Sequence, residues 1–274
     1  MQSSFTILGA QGFIGSRLAD ALVAQRYPVF RPGKEDGAIF AAPLGHVIYC
    51  IGLTADFRTR PFDTIQAHVS LLAELLRRGQ FESLLYLSSA RVYSSASSTA
   101  EESSLSVNPA DPGDLYNLSK LLGESLCLTN TRPHRPIRAV RLTNVYGDDL
   151  ESENFLTSVL RDAVERQEVV FQTALDSAKD YISVQDVVSL LPQIALWGKA
   201  HLYNLGSGRN TTHQEIADQV AALTGCQIKV MPGARRQSFP TIDMKRTQSE
   251  FPFTPRSLSA DLKTILEHYE KKAA

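Results

Sequence analysis

The amino-acid sequence predicts an α/β fold, with a doubly wound parallel sheet followed by a smaller C-terminal lobe. Through the first half, short apolar runs alternate with helical stretches, which is the pattern of βαβ units on a parallel sheet. The run at residues 47–51 is almost entirely apolar, as in a strand that helices cover on both faces. After about Tyr146 the regular segments become shorter and their connections longer. We therefore expect a sheet domain over residues 1–146 and a lobe over residues 147–274.

The elements of the first half follow from local patterns. Apolar residues recur at helical spacing over residues 13–25, directly after a short apolar run. Residues 31–45 form a short segment with Gly and Pro, which leaves room only for a residual strand at 38–41. The sequence predicts strands at residues 5–8, 27–30, 47–51, 83–87 and 137–142, and helices at residues 13–25, 62–78 and 114–128.

The second half gives weaker signals. Residues 211–224 form an amphipathic pattern that begins with Thr and Glu at capping-box spacing, and residues 258–271 predict a last helix. Shorter segments lie at 154–166, 169–172 and 203–205. Because no linker is long enough to free a second domain, we expect the lobe to pack on the sheet domain, to which it can return a strand.

Composition excludes several function classes. The net charge of -1 provides no basic field for a nucleic-acid backbone, so we expect no nucleic-acid partner. The three cysteines are odd in number and lack metal-ligand spacing, so neither a metal nor a disulfide framework is expected. No apolar run approaches the roughly 20 residues of a membrane helix, and the N-terminus lacks the features of a secretory signal. We expect a cytoplasmic protein that does not bind membranes.

Three motifs carry chemistry. Gly9, Gly12 and Gly15 follow the first predicted strand and lead into a helix, where glycines allow a tight turn and close approach to a pyrophosphate. Tyr116 and Lys120 lie four residues apart on a predicted helix, so their side chains share one face. An adjacent ammonium stabilises a phenolate and lowers the tyrosine pKa. Such a pair can move a proton to or from a carbinol while hydride moves to a nicotinamide.

The third motif is the hydroxyl pair Ser88 and Ser89. The pair lies where a predicted central strand ends, and parallel sheets place their ligand crevices at that edge. A hydroxyl there could hold the reacting oxygen against Tyr116. Each motif alone is common in unrelated proteins, and only their order along the chain makes them specific.

Taken in order, the glycine turn, LSSARVY, YNLSK, RLTNVYG and KDYISVQDV resemble the extended short-chain dehydrogenase/reductase family. More narrowly, they resemble its nucleotide-sugar epimerase/dehydratase/reductase group. The resemblance implies a Rossmann-type domain, a C-terminal substrate-binding lobe and a homodimer built from the helices at 62–78 and 114–128. It implies that Ser89, Tyr116 and Lys120 are catalytic. It implies a cofactor site of Gly9, Gly12, Phe13, Ile14, Gly15, Arg31, Ile51, Gly52, Ser88, Tyr116 and Lys120, and a substrate site of Asn144, Asn154, Lys179, Tyr181 and Arg235.

Three positions, Ala90, Arg91 and His68, depart from the group's pattern. Ala90 and Arg91 stand where its dehydratases carry Asp and Glu, the residues that eliminate water, so dehydration is disfavoured. His68 stands where many relatives carry Asn, and we interpret it as a core residue. The cofactor depends on the end of the second strand, where Arg31, with Lys34 nearby, suits the 2′-phosphate of NADP. NADP is therefore slightly favoured over NAD, for which Glu35 or Asp36 would have to bind the ribose.

These motifs predict an oxidoreductase that acts at C4 of a nucleotide-activated hexose, with a reductase of 4-keto sugar nucleotides as the leading hypothesis. A 4-epimerase that retains NAD would use the same residues and remains the alternative. A non-catalytic NAD(P)-binding relative is a further alternative, although such a protein would not need Ser89, Tyr116 and Lys120 together.

Overall fold

The structure is a computed structural model, and it describes residues 2–34, 36–53, 56–149 and 152–273. The strands, in chain order, are β1 (Phe5–Leu8), β2 (Val29–Phe30), β3 (His46–Tyr49), β4 (Ser83–Ser89), β5 (Ile137–Leu142), β6 (Asn144–Tyr146), β7 (Glu168–Thr173), β8 (Ala178–Ser183), β9 (Leu202–Leu205), β10 (Asn210–Thr212) and β11 (Gln227–Arg235). The helices are α1 (Phe13–Ala24), α2 (Pro61–Ile65), α3 (Leu71–Arg78), α4 (Leu115–Asn130), α5 (Phe155–Glu165), α6 (Val184–Trp197), α7 (His213–Thr224), α8 (Lys245–Glu250) and α9 (Leu258–Ala273).

Within the described residues, six strands form a parallel sheet in the order β2-β1-β3-β4-β5-β9. Apolar residues of α1 and α6 cover one face, and those of α3 and α4 cover the other. The strand order reverses between β1 and β3, which places a ligand crevice at their carboxyl ends. The predicted fold class, a Rossmann-type α/β protein, is confirmed.

The segment between β2 and β3 corrects one prediction. Residues 38–41 do not form a residual strand, because the chain makes a 3-10 helix at Gly37–Phe40. The Asp36 side chain accepts a hydrogen bond from the Ala38 N–H at 2.9 Å and begins that helix. The second strand is also shorter than residues 27–30, and β2 is the edge of the sheet in the described part of the chain.

The predicted helix at residues 62–78 contains a π-helical segment. The segment spans Gln66–Ser70, between α2 and α3, and carries the buried His68 on its inner side. A π turn inserts an extra residue into the helix and changes the direction of its side chains. Here that change turns His68 towards α4, where the Ser119 hydroxyl lies 2.8 Å from its Nδ1.

The later part of the chain builds a second apolar core from α5, α7, α9, β7 and β8. β8 pairs with β6 on one side and β10 on the other, while β7 pairs with β11. β9 returns to the main sheet beside β5, so the second half contributes to both cores. The division into two domains near residue 146 stays a prediction.

Candidate active site

A cavity of about 670 Å³ opens at the carboxyl ends of the central strands. The turn after β1, the loop after β3, the end of β4 and one face of α4 form its sheet side. The segment from β5 through α5, together with β8, forms its lobe side. Cavities of this size hold small molecules and cofactors, so this crevice is the candidate active site.

The glycine turn is built for close approach of backbone to backbone. Gly9 has φ of 85°, a conformation that favours glycine, and its carbonyl accepts a hydrogen bond from the Gly12 N–H at 3.0 Å. A Cβ on Gly15 would lie 2.2 Å from the Gly9 oxygen, so only glycine fits there. A Cβ on Gly12 would lie 3.4 Å from that oxygen, which is an ordinary contact. Gly12, Phe13, Ile14 and Gly15 line the cavity, whereas Gly9 shapes the turn behind it.

α1 begins at Phe13 with no acidic residue in its first turn. The free N–H groups and the dipole of a helix N-terminus favour an anion such as a pyrophosphate. The loop after β3 brings Ile51 and Gly52 to the same cavity, and a Cβ on Gly52 would lie 3.3 Å from Lys120 Nζ. The turn and the loop are the segments that would hold a dinucleotide cofactor, and Lys120 lies close to them.

Ser89, Tyr116 and Lys120 all line this cavity. Ser89 is the last residue of β4, and Tyr116 and Lys120 are one turn apart on α4. Lys120 donates a hydrogen bond from Nζ to the Leu87 carbonyl at 2.9 Å, and its Nζ lies 5.9 Å from the centre of the Tyr116 ring. Tyr116 and Lys120 are both buried. The structure therefore brings the three residues together, as their order in the sequence predicts.

Burial tunes both titrating groups of this set. It lowers the pKa of Lys120 to about 7, against the opposing charges of Glu124 and Cys50. Burial raises the pKa of the Tyr116 phenol, while hydrogen bonding with Ser89 and the positive charge of Arg91 lower it. Lys120 thus changes charge near neutral pH, where a proton-relay group is most effective.

His68 is fully buried, as the sequence predicted, and it lies directly behind the cavity lining, where its ring contacts Tyr116. Its Nε2 accepts a hydrogen bond from the Leu53 N–H at 3.1 Å, so the proton of the neutral ring is assigned to Nδ1. Nδ1 then donates to the Ser119 hydroxyl, which in turn donates to the Tyr116 carbonyl at 2.8 Å. Burial and the Lys120 charge lower the pKa of His68 to about 3, so the ring stays neutral. His68 connects the loop after β3 to the helix of Tyr116.

Ser88 lines the cavity, but its hydroxyl is hydrogen-bonded to Glu124, which does not line the cavity. It donates to Glu124 at 2.5 Å, and Glu124 forms a buried ion pair with Arg141 at 2.7 Å. Arg141 also donates to the Tyr93 hydroxyl at 2.6 Å. This network holds β4, β5 and α4 together, because leaving one of its buried charges unpaired would be costly.

Four of the five predicted substrate residues lie at the cavity. Asn144 donates from Nδ2 to the Asp180 carbonyl at 2.8 Å, and Asn154 precedes the first residue of α5. Lys179 Nζ lies 5.2 Å from the centre of the Phe155 ring, and burial lowers its pKa. The buried Tyr181 hydroxyl has no hydrogen-bond partner among the described residues. Those four residues line the cavity.

Two other predicted residues lie apart from the cavity lining. Arg235, the fifth predicted substrate residue, is exposed at the end of β11, opposite Thr173. Arg31 directly follows β2 and forms an ion pair with Asp20 of α1 at 2.9 Å. Glu35, one of the two acids that could serve NAD, lies outside the described residues, and Asp36 caps the 3-10 helix.

The described part of the chain contains neither a cluster of metal-ligand side chains nor a membrane-spanning helix. Its His, Cys, Asp and Glu side chains form no group of three that could hold a metal ion. None of its helices combines the length and the apolar character needed to cross a bilayer.

The parallel sheet, the glycine turn and the residues at its carboxyl edge define a Rossmann-type dinucleotide-binding enzyme. The sequence matches the model of the NAD dependent epimerase/dehydratase family over residues 5–206, and the chain belongs to that family. A comparison with curated proteins gives no match.

Solved structures agree in fold. MoeE5 in complex with UDP-glucose and NAD has a TM-score of 0.85 at 22% identity, with 99% of this chain and 100% of that chain covered. RMD from Pseudomonas aeruginosa with NADPH has a TM-score of 0.79 at 23% identity, covering 99% and 100%. A UDP-glucuronic acid 4-epimerase from Bacillus cereus with NAD has a TM-score of 0.77 at 18% identity, covering 99% and 100%. At these identities the likeness concerns the fold.

Proposed function

We propose that the chain transfers hydride at C4 of a nucleotide-activated hexose, and that it reduces a 4-keto sugar. The observation that carries the proposal is the convergence of Ser89, Tyr116 and Lys120 on a cavity that begins at the glycine turn. Structural neighbours bind nucleotide sugars, which supports this substrate class.

In the proposed reaction the Ser89 and Tyr116 hydroxyls donate hydrogen bonds to the C4 carbonyl oxygen. The nicotinamide, when bound, supplies the hydride that C4 accepts. Tyr116 gives its phenolic proton to the developing alkoxide, so the ketone gains one hydride and one proton. The Lys120 ammonium then stabilises the phenolate, a stronger effect in a buried site than in water. His68 links α4 to the loop after β3 and so helps to fix the position of the Tyr116 helix relative to that loop.

NADP remains the favoured cofactor for this reaction. Val29–Phe30 is followed by Arg31, and no described residue from 29 to 34 is acidic, whereas an NAD site needs an acid near this point. Asp36 already accepts from Ala38. The ion pair of Arg31 with Asp20 is exposed, and such pairs contribute only about 0–1 kcal/mol, so a 2′-phosphate can compete with Asp20.

A 4-epimerase that retains NAD is the second candidate. The observation that favours it is the same Arg31–Asp20 ion pair, because Asp20 compensates the charge that would attract a 2′-phosphate. Dehydration is not proposed, since Ala90 and Arg91 provide no acid–base pair beside Ser89.

We also propose a homodimer through α2, α3 and α4, where the Phe62 and Leu122 side chains are exposed.

Cofactor content separates these candidates. The purified protein is denatured, and the released nucleotide is identified by absorbance and mass spectrometry. A reductase that exchanges NADPH should release little cofactor, and it should oxidise added NADPH when a nucleotide 4-keto-hexose is supplied. A stoichiometric amount of NAD would identify the epimerase. Binding of NAD(P) without turnover of any nucleotide hexose would leave only the non-catalytic alternative.

A further inference from the structure

We propose that the hexose of the substrate carries a carboxylate at C6, as in a nucleotide-activated uronic acid, and that Arg91 binds this carboxylate. The proposal rests on the function proposed above and specifies its substrate class.

The position of Arg91 is at the reacting end of the cavity. Arg91 follows Ser89 by two residues, in the 3-10 turn Ala90–Tyr93, and it lines the cavity. Its guanidinium carbon lies 5.5 Å from the centre of the Tyr116 ring and 5.0 Å from that of Phe57. A sugar whose C4 oxygen meets the Tyr116 hydroxyl therefore lies within a few ångströms of Arg91.

No carboxylate among the described residues forms a close ion pair with Arg91, although the charges of Asp111 and Asp114 raise its pKa. One nitrogen donates to the Gly113 carbonyl at 3.2 Å, and no ion pair to Arg91 forms among the described residues. The nearest acids are engaged elsewhere. Asp111 accepts from the Gly113 N–H, and Asp114 accepts from Asn108 and Asn117. A half-buried guanidinium with unused donors is a site prepared for an anion.

Neighbouring positive charges increase the tendency of Arg91 to bind an anion. The Arg58 guanidinium carbon lies 4.5 Å from the centre of the same Phe57 ring. Burial and then the Arg58 charge lower the pKa of Arg91, against the opposing effects of Tyr116, Asp114 and Asp111. The Arg91 charge also contributes to the lowered pKa of Lys179. Arg91 thus lies between two other cations that line the same cavity, Arg58 and Lys179, although Asp149 and Glu153 also line it. An anionic group of the substrate beside Arg91 would relieve this repulsion.

The carboxylate and the diphosphate can be assigned to different ends of the substrate. Lys179 lies on the lobe side, where we propose that the diphosphate binds, whereas Arg91 lies against Tyr116. In a uronic acid, the C6 carboxylate is two bonds from C4 along the carbon chain, so both groups reach Arg91 and Tyr116 together. The planar guanidinium fork matches a carboxylate better than a hydroxymethyl group.

Binding measurements on the full-length, cofactor-loaded protein test the proposal. The probes are two pairs that differ only at C6: UDP-glucuronic acid with UDP-glucose, and GDP-mannuronic acid with GDP-mannose. In at least one pair we expect the wild type to bind the acid at least tenfold more tightly. Arg91→Gln should remove that preference and leave the affinity for the neutral partner within a few-fold. Arg91→Lys, which keeps the charge but not the fork, should retain part of the preference.

Arg166→Gln is the matched control, because Arg166 is exposed beyond the end of α5 and does not line the cavity. Its acid preference should equal that of the wild type. If neither acid binds more tightly than its neutral partner, the proposal is wrong. If Arg91→Gln weakens both members of a pair equally, Arg91 contacts the diphosphate instead. Tyr116→Phe should keep the preference, so failure of the C4 chemistry is distinguishable from failure of the carboxylate site.

Discussion

The side chains around Tyr116 and the predicted adenosine-binding end at Arg31 differ in how firmly the protein holds them. Tyr116, Lys120 and His68 are buried, and hydrogen bonds within the core fix their positions. Arg31, which follows a two-residue edge strand, is held by one exposed ion pair. Packing in the core therefore fixes where Tyr116, Lys120 and His68 lie, because moving a buried polar group disrupts several contacts at once. In the proposed function, the choice between NADP and NAD depends instead on Arg31, a surface charge that can change at little cost.

The largest expected effect is the loss of turnover when the buried Tyr116 is changed. Tyr116→Phe removes only the hydroxyl that moves the proton, so turnover should fall by about 10²–10⁴. Cofactor affinity should stay within a few-fold, since the ring still packs against Phe57 and His68. Steady-state rates and cofactor titration of one preparation check both parts. Near-normal turnover would remove Tyr116 from the mechanism.

The glycine turn should show the next effect. Gly12→Val places a branched side chain where the pyrophosphate is proposed to meet the backbone, and affinity for NAD(P) should fall by about a hundredfold or more. The fold should survive, because Gly12 has φ of -80° and room for a Cβ. Gly15→Ala is the contrasting control and should destabilise the protein, since its Cβ would strike Gly9. Wild-type affinity in Gly12→Val would make the turn merely structural.

Arg31→Ala tests the proposed contact between the exposed Arg31 and the 2′-phosphate of NADP. NADPH affinity should weaken by about ten- to a hundredfold, the scale of a hydrogen bond to a charged group, while NADH affinity barely changes. Fluorescence titration of both cofactors at two salt concentrations measures this, and the salt dependence for NADPH should fall in the variant. Equal losses for NADH and NADPH would contradict a 2′-phosphate contact. A wild-type preference for NADH would favour the epimerase.

The smallest effect concerns stability and pH. Burial holds the pKa of Lys120 near 7 in the folded protein, against 10.5 ordinarily. The charged amine therefore destabilises the fold fully below pH 7, and this penalty fades as pH rises towards 10.5. Lys120→Met should gain several degrees in Tm relative to wild type at pH 6.5 and less at pH 9.5. A difference in Tm that is the same at both pH values would place the Lys120 pKa elsewhere.

The sequence predicted the fold and most of the reacting end because both depend on short-range patterns. A spacing of four residues puts Tyr116 and Lys120 on one helix face, and strand ends in a parallel sheet converge at one edge. The 3-10 helix at Gly37–Phe40 was missed, although an Asp that can cap it, Asp36, stands directly before it.

The rest depended on contacts between distant segments. His68 lies directly behind the cavity because a π-helical turn aims it at Ser119, and its sequence neighbours gave no sign of that turn. Arg91 was recognised only as a departure from the dehydratase pattern. Its position beside Phe57 and Tyr116 emerges when the loop after β3 folds over α4. The short strands β6 and β10 also escaped prediction, since three-residue strands exist only through their pairing with β8.

Deuterium transfer tests the central claim most directly. A nucleotide 4-keto-hexose is incubated with the enzyme and NADPH that carries deuterium at the transferred position of its nicotinamide ring, and the product is examined by NMR. The account predicts one deuterium at C4 of the hexose and none at C3 or C5, and Tyr116→Phe should form the same product far more slowly. A product that lacks deuterium at C4 would contradict hydride transfer at that carbon.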